Sequence, residues 1–322
     1  MAQAIRIHEH GGPEVLKYEE VAVGAPEAGQ ALVRHTAIGL NYIDTYHRIG
    51  LYPISLPAIL GSEAAGVVVS VGPGVTGVAP GDRVAYAGGS PGAYATERLY
   101  PADRLVPLPA DIPDEAAAAM MLKGMTAQYL LRRTHRVEPG ETILFHAAAG
   151  GVGLIAVQWA KRLGATVIGT VSTDEKAVLA RGAGCDHVVV TSREELVPRV
   201  KEITGGRGVP VVYDSVGKET FDASLDCLSP LGMMVSFGNA SGPVPPFAPG
   251  ILGAKGSLFL TRPSLPHYVA TRASLLATAN DLFEQVRTGL RVDVNQRYPL
   301  RDAAQAHRDL EARRTTGSTV LT

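Results

Sequence analysis

Residues 143–161 read ILFHAAAGGVGLIAVQWAK and are the most informative stretch of the sequence. The apolar run before His146 is typical of a buried strand, and the apolar residues after Gly153 have helical spacing. Between them, Ala148-Ala149-Gly150-Gly151-Val152-Gly153 forms a G-x-G-x-x-G pattern with alanine in its first position. Because free amides at a helix start attract anions, this loop predicts a site for a phosphate-bearing ligand.

Strand and helix patterns alternate along the chain around this loop. Strands are predicted at residues 142–147, 166–170, 187–190, 211–216, 233–238 and 256–261, and helices at 152–163, near 174–182, and within 193–204 and 218–228. This alternation predicts right-handed βαβ units and hence an α/β fold with a doubly wound, Rossmann-type parallel sheet. In that context the glycine loop favours dinucleotide binding over a plain tight turn.

The first hundred residues have a different texture. Glycine and proline interrupt them often, and short β-rich runs occur at 31–36, 66–71 and 82–87. This part is predicted to be a compact, mostly antiparallel β domain. The tail after Tyr298 has the pattern strand, helix, strand. We therefore predict a β domain at 1–122, to which 265–322 return, and a dinucleotide-binding domain at 123–264.

Composition restricts the kinds of function that the protein can have. The 322 residues suit about two domains, and 46% hydrophobic with 19% charged residues is ordinary for a globular protein. A formal net charge of −1 provides no field to recruit nucleic acid or an anionic membrane. The sequence shows no signal peptide and no apolar run long enough for a membrane helix. With only Cys185 and Cys227 as cysteines, we expect a reducing, cytoplasmic location.

The end of the second predicted strand bears on the choice of nucleotide. A fold that prefers NAD places an acidic residue there, on the ribose 2′-hydroxyl. Here the segment reads Gly169-Thr170-Val171-Ser172-Thr173, with no carboxylate to repel a 2′-phosphate. Ser172 and Thr173 offer hydroxyls, Lys176 offers a positive charge one helical turn on, and Asp174 is a candidate helix cap. The pattern favours NADPH over NADH.

The sequence GETILFHAAAGGVGLIAVQWAK (140–161) resembles the signature of the quinone oxidoreductase and zeta-crystallin family. Further similar segments cover nearly the whole chain: HGGPEVL (10–16), IGLNYIDTYHRIGLYP (38–53), GSEAAGVVVSVGPGV (61–75), PGDRVAY (80–86), LKGMTAQYLL (122–131) and FGNASG (237–242). The similarity is strongest to the bacterial members. The resemblance implies a zinc-free medium-chain dehydrogenase/reductase, in which a GroES-like β domain lies beside the Rossmann domain and NADPH binds in the cleft.

Two positions distinguish the chain from the zinc alcohol dehydrogenases of the same superfamily. Those enzymes carry a cysteine near Asn41 and a His-Glu pair where this chain has Ser62-Glu63. No set of zinc ligands is evident, so no metal is expected. Alcohol oxidation on this scaffold uses zinc to steady the alkoxide. Without zinc, hydride transfer from NADPH to an electron-poor quinone is the predicted reaction, and reduction of an enone or 2-alkenal is the alternative.

The segment NYIDTYHRIGLY (41–52) is rich in hydrogen-bonding side chains. The resemblance places it along the nicotinamide and the acceptor, which makes Asn41, Tyr42, Ile43 and Asp44 cofactor contacts. Asn41, Tyr46 and Tyr52 are the candidate catalytic residues. Tyr46 or Tyr52 can donate to a quinone oxygen as negative charge develops, and packing explains both tyrosines equally well. Asp44 fits a cap, or a hydrogen bond to a ribose or amide, better than a base.

The resemblance implies further cofactor contacts in the second domain and near both of its ends. These are Lys123, Thr126, Tyr129, Ala149, Gly150, Gly151, Val152, Gly153, Thr170, Ser172, Thr173, Lys176, Phe237, Gly238, Asn239, Ala240, Arg262, Pro263, Ser264 and Arg313. Arg314 is an equal candidate for the arginine that reaches the 2′-phosphate. One departure weakens the preference for NADPH, since Thr191 stands where family members have a tyrosine.

The sequence supports other partners and roles less well. RNA binding or a purely structural role, as in zeta-crystallin relatives, has little support beyond a basic cluster at 132–136, because aromatic and basic residues do not alternate. The expected partner is a small-molecule quinone or enone, with neither nucleic acid nor membrane. A homodimer is expected because the strand GSLFLT (256–261) offers an exposed sheet edge for pairing across a two-fold axis.

Overall fold

The computed structural model describes residues 1–322, with sixteen strands and ten α-helices. The strands are β1 (Ala2–Ile7), β2 (Lys17–Val21), β3 (Gln30–Leu40), β4 (Ala58–Ile59), β5 (Glu63–Val71), β6 (Arg83–Ala87), β7 (Glu97–Pro101), β8 (Val106–Pro107), β9 (Thr142–Phe145), β10 (Thr166–Val171), β11 (His187–Val190), β12 (Val209–Asp214), β13 (Leu228–Ser236), β14 (Phe259–Thr261), β15 (Val294–Tyr298) and β16 (Ser318–Leu321). The helices are α1 (Tyr42–Arg48), α2 (Asp114–Tyr129), α3 (Gly151–Arg162), α4 (Asp174–Ala183), α5 (Leu196–Ile203), α6 (Phe221–Cys227), α7 (Gly250–Ala254), α8 (Leu265–Tyr268), α9 (Arg272–Arg287) and α10 (Ala303–Glu311).

The chain divides into two compact units. The first unit comprises Met1–Met125, Tyr268–Arg287 and Arg291–Thr322, and the second comprises Thr126–His267 and Thr288–Leu290. The boundary between the units falls within α2. No helix of the chain combines the length and the apolar character needed to cross a bilayer.

The second unit contains a six-stranded sheet in the order β11-β10-β9-β12-β13-β14, with every neighbouring pair parallel. This confirms the predicted doubly wound Rossmann sheet and its completion by residue 261. The central strands bury Leu144, Ile168 and Val212 completely. Strands covered by helices on both faces carry continuous apolar runs, which is why β9 and β12 were readable in the sequence.

The first unit is built from mostly antiparallel sheets, as the GroES-like prediction requires. One sheet has the order β2-β1-β4, and a seven-stranded sheet has the order β15-β16-β3-β5-β6-β8, with β7 also paired to β3. Strand β16 lies antiparallel to β3, with Val320 opposite Gly39, so the end of the chain completes this sheet. Ile7, Val33 and Leu60 lie in the core of this unit.

Three local features go beyond the predictions or correct them. Helix α2 has no apolar stripe to mark it, because residues 117–121 are completely buried and apolar residues lie on all its sides. Pro198 lies in the first turn of α5, which begins at Leu196, where a missing amide hydrogen costs little. The expectation that Asp174 caps α4 is wrong: Thr173 is the cap, and its hydroxyl accepts from the Lys176 amide.

Candidate cofactor and active site

The glycine loop joins β9 to α3 in the second unit. Gly150 is the N-cap of α3, and a Cβ at Gly153 would overlap the carbonyl oxygens of Ala147 and Ala148. Ala147 itself has φ 52°, a left-handed conformation that residues with a side chain rarely adopt. The first amides of a helix have no partner within it. The loop therefore forms a tight cradle of backbone amides, and its shape fits the pyrophosphate of a dinucleotide.

Strand β10 ends beside this loop. The carbonyl of Thr170 accepts from the Ala148 amide at 2.9 Å, which joins the two strand ends. Ser172 is half-buried, and Asp174 points its carboxylate to Arg193 at 2.8 Å. The segment from Gly169 to Thr173 thus presents hydroxyls and no carboxylate, as the NADPH prediction assumed.

The ends of β12, β13 and β14 supply the remaining predicted contacts of this unit. The amide of Phe237 donates to Asp214 O at 2.7 Å, and the Phe237 ring lies 5.8 Å from that of Phe145. The Arg262 guanidinium donates to Ser236 O at 2.8 Å. Residues 237–240 and 262–264 therefore lie at the carboxyl edge of the sheet, the edge where ligands bind in such folds. Thr126 and Tyr129 are buried on α2.

In the first unit, the carboxylate of Glu63 gathers three donors and is completely buried. Its Oε2 accepts from Asn41 Nδ2 at 2.7 Å and from Lys123 Nζ at 3.2 Å, and its Oε1 accepts from the Leu122 amide at 2.6 Å. The predicted cofactor residue Lys123 is thus held in a buried ion pair. This pair links β5 to α2 directly beside the start of α1.

Asp44 is the second buried carboxylate of this unit. It accepts from Ser62 Oγ at 2.7 Å, from Tyr94 OH at 2.9 Å and from the Asn41 amide at 3.0 Å. Burial raises its pKa from 3.8 to about 6, while these donors and the charge of Lys123 act in the opposite direction. The bond to the Asn41 amide makes Asp44 part of the capping box at the start of α1, which is one of the roles expected for it.

A chain of hydrogen bonds continues behind Asp44. Tyr94 OH lies 3.1 Å from His307 Nε2, and Arg48 Nη1 lies 2.9 Å from His307 Nδ1. Arg48 also pairs with Glu311 at 2.6 Å. Burial, together with the charge of Arg48, lowers the pKa of His307 to about 3. Neutral His307 accepts from Arg48 and donates to Tyr94, which donates to Asp44.

The sequence did not reveal Tyr94 and His307 as members of this site. They lie 50 and 213 positions from the residues they contact, Asp44 and Tyr94 respectively, in segments that carry no motif. The sequence provides only an indirect indication of these two residues. It identified polar residues at 41–63, but it did not show which distant side chains contact them.

The candidate catalytic tyrosines lie together. The rings of Tyr46 and Tyr52 meet edge to face with centroids 5.2 Å apart, and Tyr42 lies 5.6 Å from Tyr46. Tyr46 is buried and Tyr52 is half-buried. Aromatic packing of this kind orders the segment after α1, and it leaves the role of each hydroxyl a prediction.

The positions that hold zinc in the alcohol dehydrogenases carry hydrogen-bond donors here. Asn41 Nδ2 donates to Glu63, and Ser62 Oγ donates to Asp44. A metal ligand must present a lone pair, whereas these groups present hydrogens to carboxylates. The chain contains no group of three or more His, Cys, Asp or Glu side chains that could hold a metal ion.

The predicted 2′-phosphate arginines lie in the first unit, just after α10. Arg313 is exposed and has φ 58°, and Arg314 pairs with Asp309 at 3.2 Å.

Comparison with known proteins agrees with this geometry. Family models match for the alcohol dehydrogenase GroES-like domain over residues 27–110 and for the zinc-binding dehydrogenase over residues 151–278. The first match lies within the antiparallel unit. The second begins at the glycine loop. Both halves of the fold prediction are confirmed by these matches.

Three relatives match the chain over nearly its whole length. The quinone oxidoreductase of Pseudomonas aeruginosa is 55% identical, over 100% of this chain and 99% of the relative. The solved structure of Escherichia coli quinone oxidoreductase complexed with NADPH is 53% identical, covers 99% of each chain and has a TM-score of 0.98. The 2-haloacrylate reductase of a Burkholderia species is 51% identical, over 100% of this chain and 99% of the relative. Full-length identity at this level shows that the chain belongs to the quinone oxidoreductase family.

Proposed function

We propose that the protein is an NADPH-dependent quinone reductase that works without zinc. The observation that carries the proposal is the tight glycine loop, in which there is no room for a side chain at Gly153. This loop lies beside the end of β10, where no acidic side chain is present. The Escherichia coli relative complexed with NADPH has the same fold over 99% of its length. Bound NADPH would supply a hydride, and a quinone that takes this hydride and one proton becomes a hydroquinone.

The residues of the chain would act mainly by binding and positioning. The amides at the start of α3 would bind the pyrophosphate, and Ser172, Lys176 and Arg313 would bind the 2′-phosphate. Asn41 and the segment after it would line the nicotinamide and the acceptor. A tyrosine hydroxyl, from Tyr46 or Tyr52, would donate to the quinone oxygen on which charge develops. Positioning and exclusion of water suffice for an acceptor as electron-poor as a quinone.

The test is the loss of absorbance at 340 nm with 1,4-benzoquinone, with NADPH or NADH, before and after EDTA. We expect rapid turnover that prefers NADPH and that EDTA does not change. Turnover that EDTA abolishes would contradict the zinc-free mechanism. Equal turnover with NADH would contradict the inference that the absence of an acidic residue at the end of β10 favours NADPH.

The alternative activity is reduction of an activated alkene. It is favoured by the 51% identity to the 2-haloacrylate reductase of Burkholderia. An assay of the same enzyme with 2-haloacrylates, 2-alkenals and enones separates the two. Binding of NADPH without turnover of any quinone, combined with turnover of one of these alkenes, would support the alternative.

We further propose a cytoplasmic homodimer. Strand β14 is the edge of the six-stranded sheet, and Phe259 and Leu260 on it are 56% and 36% exposed. Pairing with the same strand of a second copy would cover the edge and these side chains. Cys185 and Cys227 are buried and not bonded to each other, which suits a reducing compartment.

A further inference from the structure

His146 follows the last residue of β9, directly before the glycine loop, and it is buried. Its Nδ1 lies 3.0 Å from Thr170 Oγ1, and its Nε2 lies 2.9 Å from Ser224 Oγ. A buried imidazole with a partner on each nitrogen has one orientation and one tautomer. The partners decide which tautomer it is.

The carboxylate of Asp214 sets the direction of these hydrogen bonds. The two oxygens of Asp214 accept four hydrogen bonds, from the amides of Val216 and Gly217 and from the hydroxyls of Thr220 and Ser224. Because Ser224 gives its hydrogen to Asp214, its oxygen accepts from His146 Nε2–H. His146 Nδ1 then carries no hydrogen and accepts from the hydroxyl of Thr170. Burial lowers the pKa of His146, which favours this neutral form.

Thr170 connects this hydrogen-bond chain to the glycine loop. With its hydrogen given to His146, its Oγ1 accepts from the Ala147 amide at 3.3 Å, and its carbonyl accepts from the Ala148 amide at 2.9 Å. Ala147 is the residue with φ 52°, so it needs support from its surroundings. The chain Asp214–Ser224–His146–Thr170 therefore ends on the strained residue that shapes the loop.

We propose that His146 is a positioning residue for cofactor binding, which acts through Thr170 to hold the glycine loop in its binding shape before NADPH arrives. The inference rests on the proposed function, since it takes the loop as the pyrophosphate site. The other interpretation is that these groups only satisfy one another in the core. Preorganisation predicts a loss of affinity for NADPH, whereas the core interpretation predicts a loss of stability alone.

The first variants are Thr170→Val, which removes the hydroxyl at nearly constant volume, and His146→Leu. We expect each to raise the Kd for NADPH about five- to tenfold in calorimetric titrations, and the double variant to be little worse than either single one. Hydrogen exchange of segment 145–153 in the ligand-free protein is expected to speed up in both. KM for NADPH should rise more than kcat falls.

The matched control is Thr204→Val in the same unit. The hydroxyl of Thr204 is also buried, donates to Val200 O at 2.8 Å and accepts from the Gly208 amide at 3.0 Å. We expect this variant to lose stability and to bind NADPH as the wild type does. Near-ultraviolet circular dichroism of Trp159, the only tryptophan, checks that each variant is folded.

Affinity within twofold of the wild type in Thr170→Val would overturn the inference, as would an equal loss in Thr204→Val. Should Thr170→Val or His146→Leu not fold, His146→Asn replaces them, because its side-chain oxygen keeps an acceptor near Thr170 while the contact to Ser224 is lost. In hydrogen-exchange experiments the glycine loop of His146→Asn should exchange more slowly than that of Thr170→Ala, because Thr170→Ala removes the Thr170 hydroxyl altogether. Equal exchange in these two variants would contradict the inference. Failure of the wild type to bind NADPH would instead refute the proposed function.

Discussion

Asn41 and Glu63 are joined by a hydrogen bond of 2.7 Å, in which the amide of Asn41 donates to a carboxylate that is completely buried. Lys123 donates to the same oxygen, so Asn41, which stands near the position of a metal-binding cysteine in the zinc alcohol dehydrogenases, contacts a buried ion pair. The two positions are 22 residues apart in the sequence, and their contact holds the side chain of Asn41, which is the N-cap of α1. The chemistry of this unit therefore depends on hydrogen bonds to carboxylates.

Glu63→Gln is expected to lower the free energy of unfolding by about 3–5 kcal/mol, because it leaves the ammonium of Lys123 buried without a counter-charge. Chemical denaturation measures this. The double variant with Lys123→Met should lose less than the sum of the single losses, since it removes the uncompensated charge. Glu97→Gln is the control, because its partner Arg34 is largely exposed, and it should cost about 1 kcal/mol or less. Equal losses at Glu63 and Glu97 would contradict the prediction.

Asp44 predicts a specific dependence of stability on pH. Burial raises the pKa of Asp44 in the folded protein from its ordinary value of 3.8 to about 6, so the folded state binds the proton more tightly. The stabilisation is complete below about pH 4 and is lost as the pH rises through about 6, in total about 3 kcal/mol. The free energy of unfolding of the wild type minus that of Asp44→Asn should fall over this interval. A flat curve for Asp44→Asn would refute the argument.

Ser172→Asp is expected to convert the nucleotide preference. A carboxylate at the end of β10 would repel the 2′-phosphate, and kcat/KM with NADPH should fall roughly 10- to 100-fold while that with NADH changes little. Ser172→Asn has nearly the same shape without the charge and should retain most of the preference. A similar loss with both nucleotides would show that the variant damages the fold and does not act by charge.

The two candidate tyrosines are expected to differ. Tyr46 is buried between the rings of Tyr42 and Tyr52, whereas Tyr52 is half-buried. We expect Tyr52→Phe to lower kcat with benzoquinone by about tenfold or more, as loss of a donor to developing charge would, and Tyr46→Phe to have a smaller effect. Single-turnover kinetics separate this effect from release of product. Unchanged kcat in both variants would mean that the tyrosines serve packing alone.

Leu260→Lys is expected to disrupt the homodimer, since it places a charge on the exposed edge strand β14. Sedimentation velocity at micromolar concentration should then show a monomer, while the wild type sediments as a dimer. Val178→Lys changes a side chain that is 67% exposed on α4 and should leave the dimer intact. A monomeric wild type would remove the basis of the proposal.

The Rossmann sheet was predictable because its signals are local. Each strand is a short apolar run buried on both faces, and each helix follows within a few residues, so periodicity identifies β9, α3, β10 and α4 almost to the residue. Helix α2 was not predicted, because a helix that is buried on all sides has no polar face to give it a period. The cap of α4 was misassigned by one residue, since Thr173 and Asp174 are both good caps and only backbone geometry distinguishes them.

The sequence alone was sufficient for the α/β fold, the glycine loop, the absent carboxylate at the end of β10 and the changed metal positions. All of these depend on residues that are neighbours along the chain. The polar chains around Asp44 and His146 are different, because they join residues such as Tyr94 with His307 and His146 with Ser224, which are 213 and 78 positions apart. A buried hydrogen bond depends on a distance near 3 Å and on direction, and folding brings such distant residues together in ways that no local pattern records.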